Sequence, residues 1–358
     1  MSDRAWAATR KGLFELRRVG ALWRVERVSF LGEPVTMLLA PQADGRMLAA
    51  LNLGHFGVKL HASDDAGVHW REVSVPTYPP QPDGATGPAW KLVQVWSLAM
   101  GAAGRVWAGT LPGGLFWSDD FGSQWSLCEA LWQQPGRSEW FGGGYDVPGI
   151  HSLCPHAQRP GTLLLGISSG GAWETTDDGR SWQQRSRGMR ATYMPPERAE
   201  DPDVQDPHLI VRCPSQPAVL WCQHHNGIWR STDGGQQWVE VTTAPLSSFG
   251  FTVAVHPQDP DCAWFVPAQA DEKRVPVGAA LVVNRTRDGG RSFETLSSGL
   301  PQSHCYDLVY RHGLAVDADG RQLLMGSTTG SLWASSDGGE HWSTVAAHLP
   351  PVFALRFG

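Results

Sequence analysis

The chain contains no apolar run of about 20 residues, so nothing in it reads as a membrane-spanning helix. Basic residues are sparse as well. There are 29 Lys and Arg against 35 Asp and Glu, a net charge of −6, and no basic run of the kind that tracks a phosphate backbone, which argues against nucleic acid as a partner. Cys128, Cys154, Cys213, Cys222, Cys262 and Cys305 form no C-x-x-C pair. They read as buried free thiols in a reducing compartment rather than as a zinc site or a disulfide frame. The opening MSDRAWAATRKGLFEL has no basic-then-apolar leader and no cleavage site, which sets the expectation of a cytoplasmic protein without a membrane partner. Histidine spacing of the H-x-H or H-E-x-x-H type is missing too, so any metal site has to be assembled by convergence in space.

What the chain has is a repeat. Ser/Thr-x-Asp-x-Gly-x-x-Trp/Phe recurs at Ser63-Asp65-Gly67-Trp70, Ser118-Asp120-Gly122-Trp125, Thr175-Asp177-Gly179-Trp182, Ser231-Asp233-Gly235-Trp238, Thr286-Asp288-Gly290-Phe293 and Ser335-Asp337-Gly339-Trp342. A period of about 50 to 57 residues is too long for one hairpin and suits one four-stranded propeller blade. An eroded seventh copy, Leu16-Arg18-Gly20-Trp23, stands one blade-length upstream. The residue types fit a side-chain-capped turn: the hydroxyl and carboxylate bond nearby backbone groups, Gly supplies a positive φ, and the aromatic returns to the packed side. The six carboxylates therefore read as turn staples rather than as acids or ligands. Eighteen Trp, many at the ends of these turns or in the strand before them, are expected to fill the gaps between blades.

The third unit shows the strand grammar: VWSLAM (95–100), VWAGT (106–110), GLFWS (114–118), the turn, then a strand from Trp125. At the N-terminus, Trp6–Thr9 and Gly12–Leu16 read as second and third strands with no first strand before them. Pro351–Phe357 has the missing first-strand pattern and is expected to pair with them. The expectation is an all-β fold, a single seven-bladed β-propeller over residues 1–358, closed by the C-terminal strand.

In such a meander the six turns lie on one face, and the long connectors (76–94, 132–150, 186–208, 267–279 and 299–312) lie mostly on the other, where function is expected. Seven of the thirteen histidines map there: His55, His151, His208, His224, His225, His304 and His312. Neutral imidazoles from neighbouring blades with carboxylates between them are the groups a divalent metal ion or an acid-base site needs. The predicted metal ligands are His151, His208, His225 and His312. The predicted catalytic groups are Asp146, Asp206, Tyr306, Asp307 and Arg311, with Asp271 and Glu272 as further carboxylates. Lys273, Arg274 and Arg311 are suited to an anionic group, or to pairing with Asp271, Glu272 or Asp307.

The repeated turns resemble those of the bacterial neuraminidase (BNR, or Asp-box) repeat proteins, over essentially the whole chain. The likeness is greatest to bacterial BNR-repeat glycosyl-hydrolase and exo-sialidase-like proteins, and it implies a propeller acting on a carbohydrate or related small molecule at the channel mouth. The sialidase signature is not carried over, since Arg-Ile-Pro is missing and the nearest match, Arg274-Val275-Pro276, follows the fourth turn. Three readings stand at this level: a glycoside hydrolase on a carboxylate pair, a metal-dependent lyase or hydrolase on the His cluster, and a non-catalytic binding or assembly scaffold.

Overall fold

The computed structural model describes residues 2–84, 87–142 and 145–358. The strands form seven four-stranded sheets, each an antiparallel meander, and the chain is an all-β seven-bladed propeller. By its internal contacts the chain forms two compact units. One, Thr36–Pro207, holds three sheets, with strands within 35–73, 94–127 and 150–184. The other, Met1–Val35 with His208–Gly358, holds four: 4–29 joined by 352–357, then 207–241, 250–296 and 314–346.

The first of these four is completed from the far end of the chain. Val352–Phe357 pairs antiparallel with Arg4–Thr9, placing Ala5 opposite Phe357 and Thr9 opposite Val352. The two ends of the sequence are thereby locked into one sheet, as the missing first strand required.

All six repeated turns join the third strand of a sheet to its fourth, and they share one geometry. The Gly N–H donates to the Ser or Thr Oγ at 2.7–2.9 Å. That hydroxyl donates to the Asp Oδ1 at 2.8–3.0 Å. The same Oδ1 accepts the N–H four residues on, at 2.8–3.0 Å. The glycines sit at φ between +83° and +95°, a conformation that a side chain would strain. The eroded copy differs in register. The third strand of the first sheet runs on to Val19 and turns through Gly20-Ala21, because without hydroxyl and carboxylate nothing staples the wider turn.

Two predictions arise here. Asp233→Ala removes three accepted hydrogen bonds, from Ser231 Oγ, Gln236 N and Gln237 N. It is expected to lower stability by about 1–3 kcal/mol in denaturant titration without altering ligand binding. The second concerns acid. Hydrogen bonds from the Ser292 side chain and backbone hold Asp288 down at about 2, and Asp65, Asp120, Asp177, Asp233 and Asp337 are all lowered. A depressed folded-state pKa means that the unfolded chain takes up protons first. The turns therefore contribute fully above about pH 4, and stability is expected to fall as pH drops from about 4 to about 2. A melting temperature flat across that window would contradict the assignment.

The tryptophans join neighbouring sheets within each unit. Trp221 Nε1 donates to Pro260 O at 2.9 Å and Trp264 Nε1 to Gly338 O at 2.8 Å, each reaching the next sheet. Trp125 Nε1 donates to Ser74 O at 3.0 Å in the same manner. All six cysteines are buried free thiols. Burial pushes Cys262 up to about 12 and Cys305 up to about 11, so these two are protonated packing groups at neutral pH.

Candidate functional site

The segment Asp206-Pro207-His208 carries the chain from one compact unit into the other. His208 is the second residue of the strand Pro207–Arg212 and is 2% exposed. Its Nδ1 lies 2.6 Å from the backbone oxygen of Gly250. A carbonyl only accepts, so Nδ1 carries the proton and Nε2 is the ring nitrogen that bears the lone pair. The strand geometry of Phe249-Gly250-Phe251 makes this possible. A Cβ on Gly250 would come within 2.7 Å of the Val266 backbone oxygen, so only glycine lets this strand approach as it does.

The aromatic neighbours fix the ring. His208 stacks on Phe251 with centroids 4.6 Å apart and planes at 11°, and meets Phe249 edge-on at 5.7 Å. His225, in the turn after Leu220–His224, approaches His208 edge-on at 5.4 Å and Phe249 at 5.8 Å. Asp206, buried at 4% exposure, is tethered to His208 through Pro207 alone. One carboxylate oxygen of Asp206 and one ring nitrogen from each of His208 and His225 all lie within 4.8 Å of one another. This grouping is set by covalent continuity across one residue and by the hairpin that carries His225. Tyr193 belongs to the same surroundings. Burial, reinforced by the Asp206 charge, raises its phenol above the ordinary value, and its hydroxyl donates to the Val204 carbonyl.

Positive charge gathers on the other neighbours of Phe251. The Arg274 and Arg311 guanidinium carbons lie 5.4 and 5.7 Å from its ring centroid, and Tyr310 meets it edge-on at 5.0 Å. Arg274 is also ion-paired with Asp271 at 2.5 Å, which is the pairing alternative read from the sequence. Arg311 is 7% exposed, and its carbonyl accepts from Thr252 Oγ1 at 2.8 Å.

His312 is buried, and its carbonyl accepts from Leu355 N at 2.9 Å beside the closing strand. Asp307 accepts from Ser327 Oγ at 2.5 Å, from Thr329 Oγ1 and from the Cys305 thiol. Although burial opposes it, these donors together hold the Asp307 carboxyl below its ordinary value. Tyr306 is 61% exposed, and Glu272 is exposed. His151 and Asp146 belong to the Thr36–Pro207 unit. His151 is buried with Nδ1 2.9 Å from Ser152 Oγ and lies edge-on to Trp96 at 5.3 Å, and Asp146 is exposed beside Tyr145. Gly143 and Gly144, in the glycine run before Tyr145, lie outside the described residues. Sequence reasoning missed Phe249, Phe251 and Tyr193. The alternation of aromatics around Gly250 was the available signal for the first two.

No family model and no curated protein matches the chain. Solved structures do. The chain is similar to a GH74 xyloglucanase from Xanthomonas campestris, at 18% identity and a TM-score of 0.66 over 100% of this chain and 52% of that one. It thus spans about half the length of that enzyme. It is also similar to YCF48 from Cyanidioschyzon merolae, at 12% identity and a TM-score of 0.55 over 88% and 87% of the two chains. A putative 6-phosphogluconolactonase from Bacteroides fragilis aligns at 12% identity and a TM-score of 0.59 over 99% and 97%. At these identities the likeness establishes the propeller fold, which carries many unrelated activities.

Proposed function

We propose that this propeller is a metal-dependent enzyme of the lyase or hydrolase type, with a divalent transition-metal ion held by Asp206, His208 and His225. The carrying observation is the closeness of the three ligand atoms, within 4.8 Å, together with the Gly250 carbonyl that fixes the His208 tautomer. Ligating histidines characteristically donate their second ring N–H in this way. Metal bonds of about 2.0–2.2 Å put neighbouring ligand atoms roughly 3–3.5 Å apart, so binding requires the side chains to draw in by about an ångström. Three protein ligands leave coordination positions for water and substrate, the pattern of catalytic rather than structural sites. A bound ion would polarise a substrate oxygen or lower the pKa of its water. Arg311, beside the Phe251 ring, would favour a substrate that carries or develops negative charge, Arg274 being paired with Asp271. In this reading the protein works in the cytoplasm on a carbohydrate or related small molecule.

A glycoside hydrolase of BNR type draws support from the GH74-like fold and the repeated turns. It needs two carboxylates about 5–9 Å apart with oxygens free for acid and nucleophile or base. Asp271 and Asp307 are already engaged by Arg274 and by Ser327, Thr329 and Cys305, so the geometry gives this reading less.

Titration of metal-free protein with Co2+ and Zn2+ tests the proposal. One equivalent should bind, with a Co2+ spectrum shifted by imidazole ligation, and His225→Ala should weaken affinity by roughly a hundredfold. Equal binding by the variant at equal stability would overturn the assignment.

A further inference from the structure

The Thr36–Pro207 unit holds a concave site that shares no lining residue with the Asp206, His208 and His225 group. Its cavity of about 580 Å³ takes its polar and aromatic lining in part from Trp90, Trp132, Gln133, Gln134, Arg137 and Ser138, with prolines and glycines around them. Trp90 and Trp132 meet edge-on at 5.2 Å, and the Arg137 guanidinium lies 3.7 Å from the Trp132 centroid and 5.8 Å from that of Trp90.

The bonding capacity left in this wall defines what would fill it. Arg137 is half-buried, and among the described residues no carboxylate forms an ion pair with it. The acidic residues beside it in sequence are committed elsewhere: Glu129 accepts from Gln133 Nε2 at 2.8 Å and Glu139 pairs with Arg198 at 3.7 Å. Burial pulls the Arg137 pKa down, with Tyr78 opposing, which is the mark of a cation lacking its counter-charge. The neighbouring amides are oriented the other way. Gln133 Nε2 donates to Glu129 and Gln134 Nε2 to Ala130 O at 2.9 Å, which leaves each amide its Oε1 as an acceptor beside one further N–H. Ser138 Oγ donates to Pro135 O at 3.3 Å and retains lone pairs as well. The site therefore asks for one anionic acceptor opposite Arg137, several hydroxyl donors opposite the amides and serine, and an apolar face for Trp90.

We propose that this cavity binds a sugar acid, a pyranose ring that carries a carboxylate. The carboxylate pairs with Arg137 in the charge-assisted, fork-shaped manner of guanidinium groups, the hydroxyls donate to Gln133, Gln134 and Ser138, and a C–H face of the ring lies on Trp90. A volume of about 580 Å³ is in the range of small-molecule sites.

The test is calorimetric titration of the full chain with digalacturonate, its dimethyl ester and cellobiose, followed by tryptophan fluorescence. Digalacturonate should bind, the ester and cellobiose should bind at least about tenfold more weakly, and Arg137→Gln should remove that preference. Should Arg137→Gln fail to fold, the acid-against-ester comparison on the unaltered protein decides alone. Trp90→Ala should weaken all three. Absence of binding, or equal affinity for acid and ester, would overturn the proposal.

Discussion

Deleting residues 351–358 is expected to abolish soluble folding. The lost strand pairs with Arg4–Thr9 along its length, and Pro351 O accepts from Arg10 N at 2.9 Å. Val352, Ala354 and Leu355 are 1%, 0% and 0% exposed, and Val352 and Leu355 pack with Ala5, Ala7, Leu16, Leu324 and Leu332. Each large buried aliphatic contributes about 1.5–3 kcal/mol, and the truncation also bares the backbone of Arg4–Thr9 as an open edge. Set against a total stability of about 5–15 kcal/mol, that loss leaves little folded protein and an aggregation-prone edge. Soluble yield and thermal melting of the chain ending at residue 350 measure it, and an unchanged melting curve would refute the closing-strand assignment.

Arg285→Ala should be strongly destabilising. Arg285 is 1% exposed, with its guanidinium 2.5 Å from Glu294, 2.5 Å from Glu340 and 2.9 Å from Gly338 O. It thus joins the sheet at 250–296 to the repeated turn of the sheet at 314–346. Although burial works against the charge, the two carboxylates raise its pKa above the ordinary value. Removal leaves a cavity, takes from Gly338 O one of its two donors, with Trp264 Nε1 remaining, and takes from Glu294 and Glu340 their buried partner, with Arg287 still 3.8 and 2.8 Å from them. Glu294 and Glu340 are half-exposed and can rehydrate, which moderates the cost to about 2–4 kcal/mol. Arg285→Lys should recover part of this, and equal stability of the three proteins in denaturant would contradict the account.

How much of this was legible in the sequence depended on whether a feature repeats. The six stapled turns recur with the same residue types, so both their existence and their place between third and fourth strands could be read directly. The closing strand was legible because Val352–Phe357 had no partner left at its own end of the chain. The turn at Gly20 was recognised but misregistered, since Gly and Trp persist there while the hydroxyl and carboxylate that fix its width do not. Asp206, His208 and His225 were among the named candidates on connector and chemistry alone. Their grouping owes much to Gly250 and Phe251, which lie in a separate sheet and have no motif. The Trp90, Trp132 and Arg137 cavity was invisible for the same reason: its walls come from connectors without period, and the missing counter-charge is a property of three-dimensional neighbours.

A crystal structure of protein soaked with Zn2+, with anomalous data collected on both sides of the zinc edge, decides whether Asp206, His208 and His225 hold a metal ion. One strong anomalous peak is expected about 2.0–2.2 Å from His208 Nε2, with His225 and Asp206 drawn in to complete the ligand set. Full occupancy at some other place, with His208, His225 and Asp206 unmoved and bare, would contradict it.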